Sequence, residues 1–193
     1  MNGSVWRFSA GLAAVGLALA GCADRGAPAP AWASEPDDSV IDRAIDTPAA
    51  QRLVGSFLRS SGASNNVGAI TLRRDGAPVT VYATDPKSAD SPTLERAGVE
   101  SYIAVPVRVT GRDTADTVQL EPVSPYMPRA MATGVDETSQ PRAADARLLL
   151  DYPSHTWFAW TRTSLTVISS GTTPALAGKV FDGAQFHAWL QSR

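Results

Sequence analysis

From Tyr102 to Val109 the side chains alternate without a break, with Ile103, Val105, Val107 and Val109 on one side of an extended chain and Tyr102, Ala104, Pro106 and Arg108 on the other. A strand repeats every two residues, so this segment carries one wholly aliphatic face that has to be buried. Pro106 has no N–H to give to a ladder, which predicts an edge strand or a bulge. A chain with such a segment folds around a sheet, and the remaining sequence must supply its partners and its cover.

Partners follow in both directions. Ala69-Ile70-Thr71-Leu72, a turn at Asp75-Gly76 and Val79-Thr80-Val81-Tyr82 carry the signature of a hairpin. Thr117 to Leu120 predicts another strand, residues 131–135 a further one, and residues 147–152, 157–161 and 165–169 three more. Short turns between successive strands predict antiparallel pairing. Residues 87–92 read as a polar loop, and the acidic stretch 136–145 as another.

Cover comes from both ends. Thr47-Pro48 is a helix cap followed by proline in the first turn, and Leu53, Val54, Phe57 and Leu58 recur on one face before Gly62, so the spacing predicts a helix over residues 48–60. Val40, Ile41, Ala44 and Ile45 predict a shorter helix before it. At the other end Asp182 and Gln185 stand at capping-box spacing, with Phe186, Trp189 and Leu190 as the apolar face of a helix over 183–191. The expected fold class is α+β: an antiparallel sheet of about six to eight short strands with an N-terminal and a C-terminal helix packed on it. A helix followed by a curved antiparallel sheet is similar to the cone-shaped fold of nuclear transport factor 2, an analogy of architecture only.

The 193 residues also divide into zones. Met1 to Arg7 holds one positive side chain, and residues 8–20 then run without a charge, the pattern of a secretory leader and too short for a permanent membrane helix. Residues 22–38 contain Pro28, Pro30 and Pro36 among Ala, Gly, Ser and acids, a tether composition, and residues 39–193 form a single globular domain. Trp32 is the one large apolar group of the tether, with two destinations open to it, the lipid headgroups or the surface of the domain. An apolar fraction of 44% fits a folded domain. The net charge of -2 gives no reason to expect a nucleic-acid partner.

The apolar run ends in Leu19-Ala20-Gly21-Cys22, which resembles the lipobox of bacterial prolipoproteins at all four positions. The resemblance implies that a signal peptidase recognises Leu19, Ala20 and Gly21, cuts before Cys22, and leaves that cysteine carrying diacylglycerol. It implies a partner, the membrane, and a location: lipid-anchored, with the domain on the extracytoplasmic side. Cys22 is also the chain's single cysteine, so no disulfide and no cysteine-based zinc site forms within it.

Candidate chemistry inside the domain is sparse. His155 follows Tyr152-Pro153-Ser154 in an expected turn, and His187 falls on the expected solvent side of the last helix. No Gly-x-Ser-x-Gly elbow is present, and a serine adjacent in sequence to a histidine is not a catalytic pair, because nucleophile and base must meet in space. Asp37-Asp38 and Asp136-Glu137 read as solvated loop acids, without metal-ligand spacing. No catalytic residue, metal site or cofactor is expected.

Trp157, Phe158 and Trp160 share one short strand, so Trp157 and Trp160 face opposite sides. Two readings stay open. Both are core, under cover on either side, or they border a binding surface that Tyr126, Tyr152 and Arg162 would join.

The segments Tyr102 to Arg108, Thr117 to Leu120 and Trp157 to Trp160, ahead of a terminal helix, resemble exported proteins of high-GC Gram-positive bacteria whose activities are not characterised. Together these features predict a non-catalytic envelope lipoprotein that binds a protein partner or a small apolar ligand. The alternative is an envelope hydrolase whose groups converge only in the fold, which requires His155 within about 3 Å of a serine and an acid, or within water-bridging reach of them.

Overall fold

A computed structural model describes residues 32, 36–62, 70–87 and 93–193. The lipobox residues Leu19, Ala20, Gly21 and Cys22 lie outside the described residues, as does Ala69 of the first expected strand.

Two helices open the described chain. In α1 (Asp38–Ile45) the Asp37 carboxylate caps the first turn by accepting from the backbone N–H groups of Ser39 and Val40. These bonds, with that of the Ser39 hydroxyl, hold the Asp37 carboxyl below the usual carboxylate range. This helix starts inside the stretch read as tether, and its neighbour Asp38 pairs with Arg74, so neither acid is a loose loop charge. In α2 (Pro48–Ser60) the Thr47 hydroxyl accepts from Ala50 N–H and Pro48 occupies the first turn, as the sequence reading has it.

The fold is α+β, and among the described residues its sheet has nine strands, more than expected: β1 (Leu72–Arg74), β2 (Val79–Thr84), β3 (Gly98–Val109), β4 (Asp116–Leu120), β5 (Pro128–Thr133), β6 (Arg147–Asp151), β7 (Thr156–Trp160), β8 (Leu165–Ser169) and β9 (Val180–Phe181). Their order is β5-β4-β3-β2-β6-β7-β8-β9, with β1 also against β3.

Three features depart from the sequence reading. First, β1 and β2 are not a hairpin. Both pair antiparallel with β3, Leu72 opposite Val109 and Val79 opposite Ala104, so they lie end to end along one long strand. The reason is Pro106. Its carbonyl accepts from Asp75 N–H, and in a strand N and C=O of one residue point to the same neighbour, so the missing N–H faces the break between β1 and β2. The strand β3 is therefore interior, and the irregularity Pro106 demands is placed on the neighbouring strand. Gly76 belongs to the same fitting, since a Cβ there would meet the proline ring at 3.0 Å.

Second, the sheet is mixed. Val81, Tyr82 and Ala83 of β2 pair in parallel with Leu148, Leu149 and Leu150 of β6, which joins two antiparallel groups side by side. Leu148, Leu149 and Leu150 are all buried, as expected of a strand covered on both faces. Third, residues 136–139 form a one-turn helix, α3 (Asp136–Ser139), and Glu137 is buried at 8% exposure. It accepts from Tyr102 Oη at 3.4 Å and from Gln119 Nε2 at 3.2 Å. Burial, with Glu137 adding to it, raises the Tyr102 phenol well above its ordinary value.

Directly opposed residues share a face, and the register shows that the long helices occupy the same one. Ile103 is opposite Thr80, Tyr82 opposite Leu149, and Leu149 opposite Phe158. On this face Ile41, Ile45, Val54 and Leu58 of α1 and α2 pack on Ile103, Val105, Val107, Val118 and Leu120. The last helix, α4 (Gly183–Gln191), packs Phe186 and Leu190 on Phe158, Leu165, Val167 and Phe181. Its Asp182–Gln185 capping box forms as the spacing predicts. The other face carries Val79, Val81, Tyr102, Ala104, Leu148 and Leu150.

Candidate functional site

The most elaborate convergence of side chains lies over the middle strands on the helix-bearing face. Trp160 ends β7 and stands opposite Arg147, the first residue of β6, so both project to that face. Tyr82 comes from β2 next door. Trp160 is 0% exposed and donates its indole N–H to the Leu94 carbonyl at 2.9 Å, in a 3-10 turn before β3. A buried indole needs such a partner.

Trp32 sits against this group, 115 residues from Arg147 in sequence. Its ring meets the Trp160 ring edge to face, with centroids 5.0 Å apart and planes at 85°, and Tyr82 meets Trp160 in the same manner at 5.4 Å. The Arg147 guanidinium lies 3.9 Å from the Trp32 ring centre and 4.7 Å from that of Tyr82, and the Arg162 guanidinium lies 4.9 Å from Trp32. Two hydrogen bonds fix the residue by its side chain and its backbone: Trp32 Nε1–H donates to the Trp160 carbonyl at 3.1 Å, and Arg147 Nε–H donates to the Trp32 carbonyl at 2.6 Å.

Each cation–ring contact is worth about 0.5–1 kcal/mol where partly exposed, and each such hydrogen bond about 1 kcal/mol net. A small cavity of about 60 Å³ adjoins the group, bordered by Pro36, Thr80, Tyr82 and Arg147. Burial raises the Tyr82 phenol above its ordinary value, a rise that Arg147 opposes and Glu100 reinforces. The arrangement is suited to holding an indole together with the backbone carbonyl of the same residue.

The five aromatic and basic residues singled out in the sequence do not form one surface. Trp160 and Arg162 belong to the group around Trp32. Trp157 projects to the opposite face and packs, partly buried, beside Leu148 and Leu150. Tyr152 is 45% exposed in the turn after β6, its hydroxyl 3.0 Å from that of Ser101. Tyr126 lies between β4 and β5 against the α1–α2 core. Sequence reasoning missed Arg147 and Tyr82, which come from strands paired in parallel; the odd arginine ahead of three leucines was the only local signal.

The second polar centre is Asp151, at the end of β6 and 0% exposed. Its carboxylate accepts from Thr84 at 2.8 Å, from the Ser154 hydroxyl at 2.6 Å and backbone at 3.1 Å, and from Arg193. Burial alone would raise its pKa, but the bonds from Arg193, Ser154 and Thr84 outweigh it and hold the carboxyl below the usual range. Arg193 in turn covers the Trp189 ring.

Neither histidine enters these groups. His155 is exposed in the β6–β7 turn with φ at 51°. His187 is not on the open side of α4 as the spacing predicts: it is partly buried, with Nε2 2.9 Å from Gln191 and Nδ1 enclosed without a partner. Among the described residues no cluster of three or more histidine, cysteine or acidic side chains converges as metal ligands would. Compared with known proteins, the chain matches no family model, no curated protein and no solved structure.

Proposed function

We propose that this chain is a lipid-anchored protein of the bacterial cell envelope, with Cys22 as its acylated first residue after cleavage and its domain displayed beyond the membrane as a binding module. One observation carries the reading. The uncharged run 8–20 closes on Leu19-Ala20-Gly21-Cys22, and that cysteine stands ahead of the whole folded domain, whose first helix begins at Asp38. The buried core of the described residues begins at Ile41, 19 positions after that cysteine. Among the described residues no helix is long and apolar enough to cross a membrane, and two or three acyl chains give the slow release that one chain does not.

The binding role rests on the sheet face opposite α1, α2 and α4, at the end that α3 does not reach. Trp157 lies opposite Leu150, Ala159 opposite Thr166, and Thr166 opposite Val180, which is 58% exposed. The cluster of Val81, Tyr102, Ala104, Leu148 and Leu150 on this face is buried, whereas Trp157, Ala159 and Ile168 are only partly buried, so the accessible part that supports a binding role is the β7–β9 end of the face.

The test is metabolic labelling with a fatty acid in the native host. Label on the wild-type chain, its loss in Cys22→Ser, and transfer of that variant to the aqueous phase are expected. A Cys22→Ser chain that keeps the label or the membrane overturns the proposal.

A further inference from the structure

We propose that the pocket of Tyr82, Arg147, Trp160 and Arg162 is a docking site for the chain's own tether, which it grips at Trp32 to set how far and in what orientation the domain stands from the bilayer. The distance part of this rests on the lipid anchor at Cys22; the docking itself does not.

The pocket recognises more than an apolar ring. Tryptophan alone among apolar side chains has an indole N–H to give the Trp160 carbonyl, and Arg147 covers the ring while bonding the backbone carbonyl of the same residue. Leucine would keep only the backbone bond to Arg147, and phenylalanine would leave the Trp160 carbonyl without the indole donor. The receiving groups are themselves held rigidly: Trp160 by its bond to Leu94 and Arg147 by its place in the ladder opposite Trp160. The site is thus built before the tether arrives, which limits what ordering it costs.

Chain arithmetic gives the consequence. A residue spans at most about 3.6 Å of extended chain, so gripping Trp32 limits the separation from Cys22 to about 35 Å, where attachment at Asp37 would allow about 50 Å. The grip also chooses an orientation, because it brings the middle strands of the helix-bearing face toward the membrane end of the chain. A tryptophan ten residues from a lipid has a rival home among the headgroups, and the pocket competes with it.

The experiment uses the full lipoprotein in phospholipid vesicles. Hydrogen exchange at the Trp32 indole N–H is expected to be at least about tenfold slower than in a free tryptophan peptide, the factor that 1.4 kcal/mol supplies, and to reach the free rate in Arg147→Ala. Energy transfer from a dye on Lys179→Cys to labelled lipid is expected to fall in Trp32→Ala and in Arg147→Ala, with helix content unchanged. Free-rate exchange in the wild type, or quenching of Trp32 by brominated lipid, overturns the docking. A chain that stays off the vesicles while its Trp32 indole is protected contradicts the lipid anchor and leaves the docking intact.

Discussion

The two halves of the helix-bearing face are made of different material. Over β3 and β4 the contact is aliphatic, with Ile41, Ile45, Val54 and Leu58 meeting Ile103, Val105, Val107, Val118 and Leu120. Over β7 to β9 it is aromatic, and Phe158 meets Phe181, Phe186 and Trp189 edge to face at 5.6–6.2 Å. Aliphatic side chains fill space and bond nothing. The aromatic half fills space and also carries polar edges, and that is where the buried Trp160 receives the Trp32 indole N–H and where Trp189 meets Arg193. One half supplies a floor, and the other supplies a floor with fittings.

If that contrast holds, the largest single loss is on the aromatic side. Trp160→Ala removes a fully buried ring, leaves the Leu94 carbonyl with Ala97 N–H as its remaining donor and empties the pocket around Trp32, and is expected to cost about 3–5 kcal/mol in urea denaturation. A loss below about 1 kcal/mol would break the account of this half. Asp151→Asn comes next, at about 2–3 kcal/mol at pH 7, because it leaves Arg193 without its carboxylate. The folded pKa of Asp151 is lowered, so its contribution is complete above the ordinary carboxylate value of 3.8 and is lost as pH falls through the folded value. Wild-type stability should therefore drop as pH falls below the ordinary value of 3.8 more steeply than that of Asp151→Asn, measured by denaturation at a series of pH values; equal slopes would contradict the assignment.

Val105→Ala, on the aliphatic side, is expected to cost about 2 kcal/mol with no change in that pH profile, since it removes two methyl groups and no polar partner. The smallest effect is expected at Thr47→Ala. Loss of one cap bond to Ala50 costs about 1 kcal/mol, read as faster amide exchange in α2 with the aromatic half unchanged.

The same contrast governs what the sequence disclosed. Helices α2 and α4 were legible to within a residue because Thr47-Pro48 and the Asp182–Gln185 box are local chemistry. The aliphatic face of β3 was legible because period two needs no knowledge of the partner. Pairing was not: Asp75-Gly76 has the residues of a hairpin turn, yet Pro106, thirty residues on, draws Asp75 to its own carbonyl and sets β1 and β2 in line. The parallel contact of β2 with β6 left no trace because apolar alternation does not encode direction. Glu137 read as a solvated acid because its partners, Tyr102 and Gln119, are brought to it by the sheet.

At the pocket, Trp160 and Arg162 stood out as an aromatic strand and its following arginine. Their convergence was hidden, since Tyr82 reaches them only through the β2–β6 contact, Arg147 through the register of β6 against β7, and Trp32 from a stretch whose composition carries no period. Cooperation between distant segments was the part that residue patterns alone could not supply.

The most direct test of the whole account is the intact mass of the protein purified from its native membranes. A chain beginning at Cys22 and carrying the mass of a diacylglycerol, with or without a further acyl group, is the expected result. A chain that retains residues 1–21, or one whose residue 22 bears an unmodified thiol, would contradict it.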